Sequence, residues 1–150
     1  MKLFVKERPD IRETEVHILC EKRDQEVENM INSIQSVQHT LLGKKENGDT
    51  IPFVMNEVLY FEAVEKKVFA YLQNEIYEMG YKLYEIEMIC DQRCFLRISK
   101  SVVVNLRYIQ KIQTEEGRRL KLLLKNGEWL MVSRMYVNDL KIRLGMKGEK

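Results

Sequence analysis

The sequence has few of the side chains that build disulfide frameworks or metal sites. Its 150 residues include three cysteines and two histidines, and an odd thiol count without a secretion signal argues against a disulfide framework. Cys90 and Cys94 are four residues apart and could share a helix face, but zinc sites usually need four closely spaced ligands. His17 and His39 lie far from that pair in the sequence. We therefore expect buried apolar thiols, no metal and no cofactor.

Motifs for catalysis are also missing. The sequence contains neither a G-x-x-x-x-G-K-[ST] phosphate loop nor a G-x-G-x-x-G turn. Two histidines leave little for Ser-His or Cys-His catalysis, which needs a base beside its nucleophile. His17 alternates with apolar neighbours and is more typical of a structural side chain. The chain is therefore not predicted to be an enzyme, and no small-molecule substrate is expected.

Other absences limit the classes of protein to which this chain can belong. Two prolines and seven glycines argue against collagen-like, stalk or linker sequences. No apolar run approaches the ~18 residues of a membrane span, and the start of the chain is too charged for a signal peptide. The 45% of apolar residues can form a core. We expect a soluble, cytoplasmic protein of one domain, or of one domain with a small appendage.

The charges are unevenly distributed along the chain. The formal net charge is only +2, but it is 0 for residues 1–45, −7 for residues 46–92 and +9 for residues 93–150. A basic third on a β-rich scaffold is typical of proteins that bind a phosphate backbone. The alternative is an ordinary solvated face that balances the acidic middle.

Residues 1–45 predict a small β-β-α-β unit. Residues 2–7 and 14–20 have strand-like composition, and a strand is predicted at about 39–44. Between them lies an amphipathic helix, for which Asp24 is a plausible N-cap. Its apolar stripe consists of Val27, Met30, Ile31, Ile34 and Val37. This unit could provide a dimerisation or partner-binding surface, or it could simply complete the core.

Residues 46–150 predict a mostly β domain, so the fold class is α+β. A short helix is expected near 81–90, and Ser133 can begin a final helix that ends at Gly145. Asn47-Gly48 and Asn126-Gly127 are hairpin signals. The predicted strands are residues 50–54, 58–61, 68–72, 95–98, 102–109, 120–124 and 129–132.

One position interrupts the apolar alternation of the segment 95–109. Leu96 and Ile98 share a strand face, and by parity Lys100 would lie on the same face. A buried cation is expensive, so the chain is predicted to turn and expose Lys100. A lysine between two hydroxyls and beside Arg97 could read phosphates and base edges.

This segment resembles the signature of the LytTR family of bacterial transcription regulators. Residues 58–63 resemble a second family strand, and residues 132–134 resemble the Val-Ser-Arg element before the last helix. The resemblance covers about residues 46–146. The matching signature positions are Phe95, Arg97, Ile98, Lys100, Ser101, Val104, Asn105 and Ile109.

The resemblance implies an elongated, mostly β domain whose loops enter successive major grooves of DNA. It implies base contacts from Lys66, Lys100 and Arg134. The sequence departs from the family's pattern at Ser99, where a histidine is common, so any contact from that imidazole is absent or weaker. The implied phosphate contacts are Lys67, Arg97, Ser101, Ser133 and Asn138.

Several of these residues have alternative interpretations. Lys66 and Lys67 could be solubilising residues at a hairpin tip. Ser133 would cap its helix with or without DNA. Asn105 is more typical of a structural side chain, which hydrogen-bonds to the backbone at a strand end, than of a base reader. Trp129 is more typical of packing than of base stacking.

The resemblance also implies partners. These are double-stranded DNA at promoters, with repeated half-sites, a second copy of the chain on DNA, and an inhibitory membrane protein. Forty-five residues are too few for a receiver domain, so a stand-alone regulator is expected. The alternative is a protein-interaction module or an RNA-binding protein. Single-strand RNA readers usually place aromatic residues among their basic ones, and the loops 65–67 and 99–101 contain none.

Overall fold

The computed structural model describes residues 1–37, 40–90 and 93–146. Short antiparallel strands dominate these ranges, and the α+β class is confirmed. The helices are α1 (Gln25–Val37), α2 (Leu83–Ile89) and α3 (Arg134–Arg143). The strands are β1 (Thr40–Lys44), β2 (Thr50–Val54), β3 (Tyr60–Val64), β4 (Lys67–Tyr71), β5 (Ile76–Met79), β6 (Phe95–Arg97), β7 (Val102–Asn105), β8 (Ile109–Thr114), β9 (Leu120–Leu124) and β10 (Trp129–Val132).

The strands form two antiparallel sheets. The larger sheet has seven strands in the order β2-β1-β5-β4-β3-β7-β6, and the smaller has three in the order β10-β9-β8. In the larger sheet Glu62 lies opposite Phe69 on β4 and opposite Val102 on β7. The carboxyl end of β3, the amino ends of β4 and β7 and the carboxyl end of β6 therefore lie at the same end of the sheet.

The alternation of side chains along β3 and β7 divides the core into two clusters. Phe61 and Val103 point to one face, where they pack with α2 through Ile86. Tyr60 and Val104 point to the other face, where they pack with β9, β10 and α3. The larger sheet is thus covered on both faces near β3 and β7, which explains why Val103 and its neighbours on β7 form a continuous apolar run.

The two predicted hairpin turns, the Asp24 cap and the glycine after the last helix are confirmed. Gly48 and Gly127 have φ of +93° and +88° in the turns of the two predicted hairpins. Asp24 Oδ1 accepts a hydrogen bond from Val27 N at 3.0 Å, so Asp24 caps α1 as expected. Gly145, just after α3, has φ of +74°.

Three features differ from the sequence expectations. Residues 1–24 form neither a helix nor a strand, so the predicted strands at 2–7 and 14–20 are wrong. Among the described residues, no neighbouring strand supplies backbone hydrogen bonds to these two segments. The strand predicted at 102–109 ends at Asn105 as β7; a 3-10 turn follows, and β8, which belongs to the other sheet and was not predicted beyond its first residue, begins at Ile109. β5 is not predicted by the sequence patterns.

The predicted domain division falls inside a hairpin. β1 pairs with β2 along its full length and also pairs with β5. The strand predicted to start at 39 begins at Thr40, and His39 lies outside the described residues. A separate role for residues 1–45 stays a prediction. In the described ranges, no helix is long and apolar enough to cross a membrane.

Candidate nucleic-acid interface

Backbone hydrogen bonds join three predicted contact segments at one end of the larger sheet. Ala63 N, at the end of β3, donates to Ser101 O at 2.8 Å. Ser133 N, just before α3, donates to Ile98 O at 2.9 Å. We call the turn 65–66, the loop 99–101 and the helix start 133–134 the contact edge. Residues far apart in sequence thus become neighbours through the sheet.

The β3–β4 turn presents Lys66. Val64 pairs with Lys67, so the turn has two residues, and both have positive φ, 49° at Glu65 and 68° at Lys66. This is the twist that tight hairpins require. Lys66 is exposed, whereas Lys67 Nζ lies 3.3 Å from Glu78 Oε1 on β5. The two lysines therefore differ, because one has a carboxylate partner within its own chain.

The β6–β7 loop presents Lys100 as the parity argument predicts. Ile98 is fully buried, Lys100 is exposed, and the chain turns between them. Ser101 N donates to Ser99 Oγ at 3.2 Å, which gives the loop an internal bond. Arg97 Nε donates to Ser99 O at 3.0 Å, and its two other guanidinium nitrogens donate to Lys100 O and Glu87 Oε1. The guanidinium of Arg97 thus lies beneath the loop.

The third segment begins α3. Ser133 occupies the N-cap position as predicted, but its side chain makes no capping hydrogen bond. Arg134 and Asn138 are exposed and one helical turn apart. The guanidinium of Arg134 lies over Gly117, where an added Cβ would be 2.8 Å from Nη2. Arg134 is therefore packed against the β8–β9 loop.

Sequence reasoning missed Arg119 in that loop. It is exposed and lines a shallow groove together with Ser133 and Arg134. It lies outside the recognised motifs, and only its place in the basic third of the chain could have indicated it. The groove brings a second cation to the start of α3, where helix N–H groups also favour an anion.

Asn105 is structural, as the sequence analysis favoured. It is fully buried, its Nδ2 donates to Val58 O at 2.9 Å and Asn56 O at 3.3 Å, and its Oδ1 accepts from Arg107 N at 3.1 Å. Its amide therefore satisfies backbone groups at the far end of β7, away from the contact edge.

Two aromatic contacts lie at the strand ends away from the contact edge. Tyr60 and Tyr71 stack with ring centroids 4.4 Å apart, and the Tyr60 hydroxyl donates to Glu128 Oε2 at 2.5 Å. Burial, followed by that hydrogen bond, raises the pKa of Tyr60 far above its usual range. Trp129 is partly exposed, and Lys121 Nζ lies 4.4 Å from its ring centroid, so the lysine covers one face of the indole.

The charges of the contact edge are available to an anion. Among the described residues, Lys66, Lys100 and Arg134 form no ion pair within 4.0 Å. In the same ranges, no three histidine, cysteine or acidic side chains cluster closely enough to hold a metal ion. Exposed cations on separate loops at one end of a rigid sheet can contact phosphates and base edges together.

Comparison with known proteins identifies the family. The model of the LytTr DNA-binding domain family matches residues 48–145. Proteins named HTH-type transcriptional regulators from Staphylococcus aureus strains NCTC 8325 and MRSA252 are 31% and 30% identical over 148 residues, covering 97% of this chain and 99% of theirs. A solved LytTr DNA-binding domain of a methyl-accepting/DNA response regulator from Bacillus cereus superposes with a TM-score of 0.69. It is 28% identical and covers 73% of this chain and 99% of that one. The chain therefore belongs to the LytTR family of DNA-binding domains.

Proposed function

We propose that this protein is a bacterial transcriptional regulator that binds duplex DNA at specific sequences, with the contact edge entering successive major grooves. The observation that carries the proposal is the joining of three sequence-distant loops at one sheet end, each with a cation that has no ion pair among the described residues. Separate cations on one rigid edge suit a ligand with regularly spaced phosphates and base edges.

In this proposal loops, and not a recognition helix, contact the DNA bases. α2 and α3 are separated by the five strands β6 to β10, so the described part of the chain has no helix–turn–helix unit. α3 offers its first turn to the contact edge, while Val137 and Leu140 pack its inner face into the core.

The candidate residues divide into two roles. Lys66, Lys100 and Arg134 are the proposed base readers, and Arg134 suits a bidentate contact with guanine. A phosphate contact by Lys67 would compete with its ion pair to Glu78. The proposed phosphate contacts, which fix register and not sequence, are Lys67, Ser101, Ser133 and Asn138.

Duplex DNA is favoured over single-stranded RNA. Readers of unpaired bases stack them on aromatic side chains. The turn 65–66 and the loop 99–101 contain no aromatic residue. Trp129 is the exposed aromatic of β10, but it lies at the opposite end of that strand from α3, and Lys121 covers its ring.

The proposal includes a homodimer on DNA and action in the cytoplasm. Leu3, Phe4 and Leu19 are 86%, 84% and 96% exposed in a segment without helices or strands. Exposed apolar side chains in strand-like sequence suit pairing with another chain. Residues 1–24 are therefore the proposed dimer surface. An inhibitory membrane-protein partner and a stand-alone mode of regulation rest on the family resemblance alone.

Selection from a random duplex library tests the proposal. The full chain should enrich a sequence motif, and its affinity for that motif should fall steeply with salt. Lys100→Ala and Arg134→Ala should each relax preference at different bases by about 1–3 kcal/mol. Lys67→Ala should weaken all duplexes alike.

Lys125→Ala is the matched control. Lys125 is exposed in the β9–β10 turn, at the opposite end of β10 from α3. Its loss should leave the motif and the affinity unchanged. Failure to enrich any motif, or affinity that does not respond to salt, would refute specific DNA binding.

A further inference from the structure

Arg97 makes three hydrogen bonds with groups of its own chain. Its Nε bonds Ser99 O at 3.0 Å, its Nη2 bonds Lys100 O, and its Nη1 bonds Glu87 Oε1. The side chain is 25% exposed, and that of Glu87 is 38% exposed. Two of the three acceptors are backbone carbonyls of the loop 99–101. The guanidinium therefore fixes the path of the loop directly beneath Lys100.

Glu87 ties this guanidinium to the hydrophobic core. It lies on α2, next to Ile86, which is fully buried in the cluster that packs one face of the larger sheet. The backbone of Glu87 therefore has a fixed position against the sheet, and the bond to Arg97 holds its carboxylate. A planar guanidinium between this carboxylate and two carbonyls has little freedom to rotate, because its donors form a rigid fork. The position of α2 therefore helps to determine the conformation of the loop 99–101, through the bonds of Arg97.

The same contacts argue against Arg97 as a phosphate ligand. A phosphate that approached it would compete with Glu87 for the guanidinium, and it would meet the negative charge of that carboxylate. Lys100 is exposed and has no such neighbour among the described residues. The charge that the loop offers to DNA is therefore that of Lys100.

We propose that Arg97 and Glu87 form a positioning pair, which orients the loop 99–101 so that Lys100 can read a base. This inference rests on the proposed function. It replaces the phosphate contact that the family resemblance implies for Arg97. Neither residue touches DNA in this proposal, and both act through the loop.

Replacement of Glu87 distinguishes a positioning role from a purely electrostatic one, because the two roles predict different changes in DNA binding. Loss of a carboxylate near DNA should tighten binding to every duplex if charge alone matters. If Glu87 positions the loop, Glu87→Ala should instead lower the preference for the selected motif over random duplex. We expect a loss of roughly five- to a hundredfold, comparable to the loss of one base contact. Glu46→Ala removes an exposed carboxylate from the β1–β2 turn and serves as the control.

Replacement of Arg97 supplies an independent readout. Arg97→Lys keeps the charge but cannot bridge two carbonyls and a carboxylate, so it should lose base preference at the position that Lys100→Ala also relaxes. Arg97→Gln should lose the same preference without changing the slope of log affinity against log salt. A phosphate ligand would instead reduce that slope by about one charge. Circular dichroism and thermal unfolding establish that each variant is folded.

The possible outcomes distinguish this inference from the proposed function. If the wild-type chain selects no motif, specific DNA binding itself fails. If it selects a motif but Arg97→Lys retains full preference, or Glu87→Ala tightens all binding equally, the positioning pair is refuted. Loss of preference at the Lys100 base in both Glu87→Ala and Arg97→Lys, with Glu46→Ala unchanged, supports it.

Discussion

Replacement of Asn105 distinguishes a structural amide from a base reader. Asn105→Ala removes the partner of Val58 O and of Arg107 N, the two bonds at 2.9 and 3.1 Å, and a weaker one to Asn56 O at 3.3 Å. A buried backbone group left without a partner costs about 1–3 kcal/mol. Val58 O lies in a buried bond and Arg107 N in a partly buried one, so together they predict a loss of ~3 kcal/mol in the free energy of unfolding. For a chain of this size that lowers Tm by roughly 6–12 °C.

Urea and thermal unfolding measure this loss. Asn105→Asp should destabilise at least as much, because a carboxylate would face two carbonyl oxygens and donate nothing. Asn74→Ala, in the exposed β4–β5 turn, should change stability by less than ~0.5 kcal/mol. At a temperature where Asn105→Ala is folded, it should select the wild-type DNA motif. Unchanged stability together with an altered motif would refute the reasoning and make Asn105 a reader.

Three further predictions concern the fold and the assembly. Gly43→Ala should destabilise by about 1–3 kcal/mol in urea unfolding, because the new Cβ would lie 2.4 Å from Tyr77 Cβ; an unchanged midpoint would contradict this close approach of β1 to β5. The raised pKa of Tyr60 keeps its phenol neutral when folded, so stability should fall as pH rises above ~10. Tyr60→Phe should make that alkaline slope shallower, and an identical slope would assign it to other groups. Deletion of residues 2–23 should keep the fold and abolish the dimer that forms on the selected duplex, as measured by sedimentation; a dimer that persists on the duplex would exclude this segment as the dimer surface.

Local patterns predicted the elements that are defined by their own residues. The stripe of α1 with its Asp24 cap and the two Asn-Gly hairpins depend on neighbours within a few positions, and all are present. The exposed position of Lys100 also followed from strand parity alone. Such features are decided by local conformational preference and by the cost of burying charge.

Elements that depend on distant partners were harder to predict. Residues 2–7 have the composition of a strand, but in the part of the chain that the structure describes no strand pairs with them. β5 is a strand because β1 and β4 flank it on both sides, although its four residues include Glu78. The bond of Arg97 to Glu87 likewise joins β6 to α2, two elements whose proximity no spacing reveals.

The β3–β4 turn holds two residues other than glycine in a backbone conformation that glycine adopts more readily. Both turn residues have positive φ, which glycine adopts freely and which costs Glu65 and Lys66 roughly 1 kcal/mol each. In the hairpins at Gly48 and Gly127 the positive φ falls on glycine. An Asn-Gly pair is favoured at both positions of a two-residue hairpin turn and would relieve the strain at 65–66. The lysine at position 66 thus opposes folding slightly, and its charge is the property that a more stable Asn-Gly turn would lack.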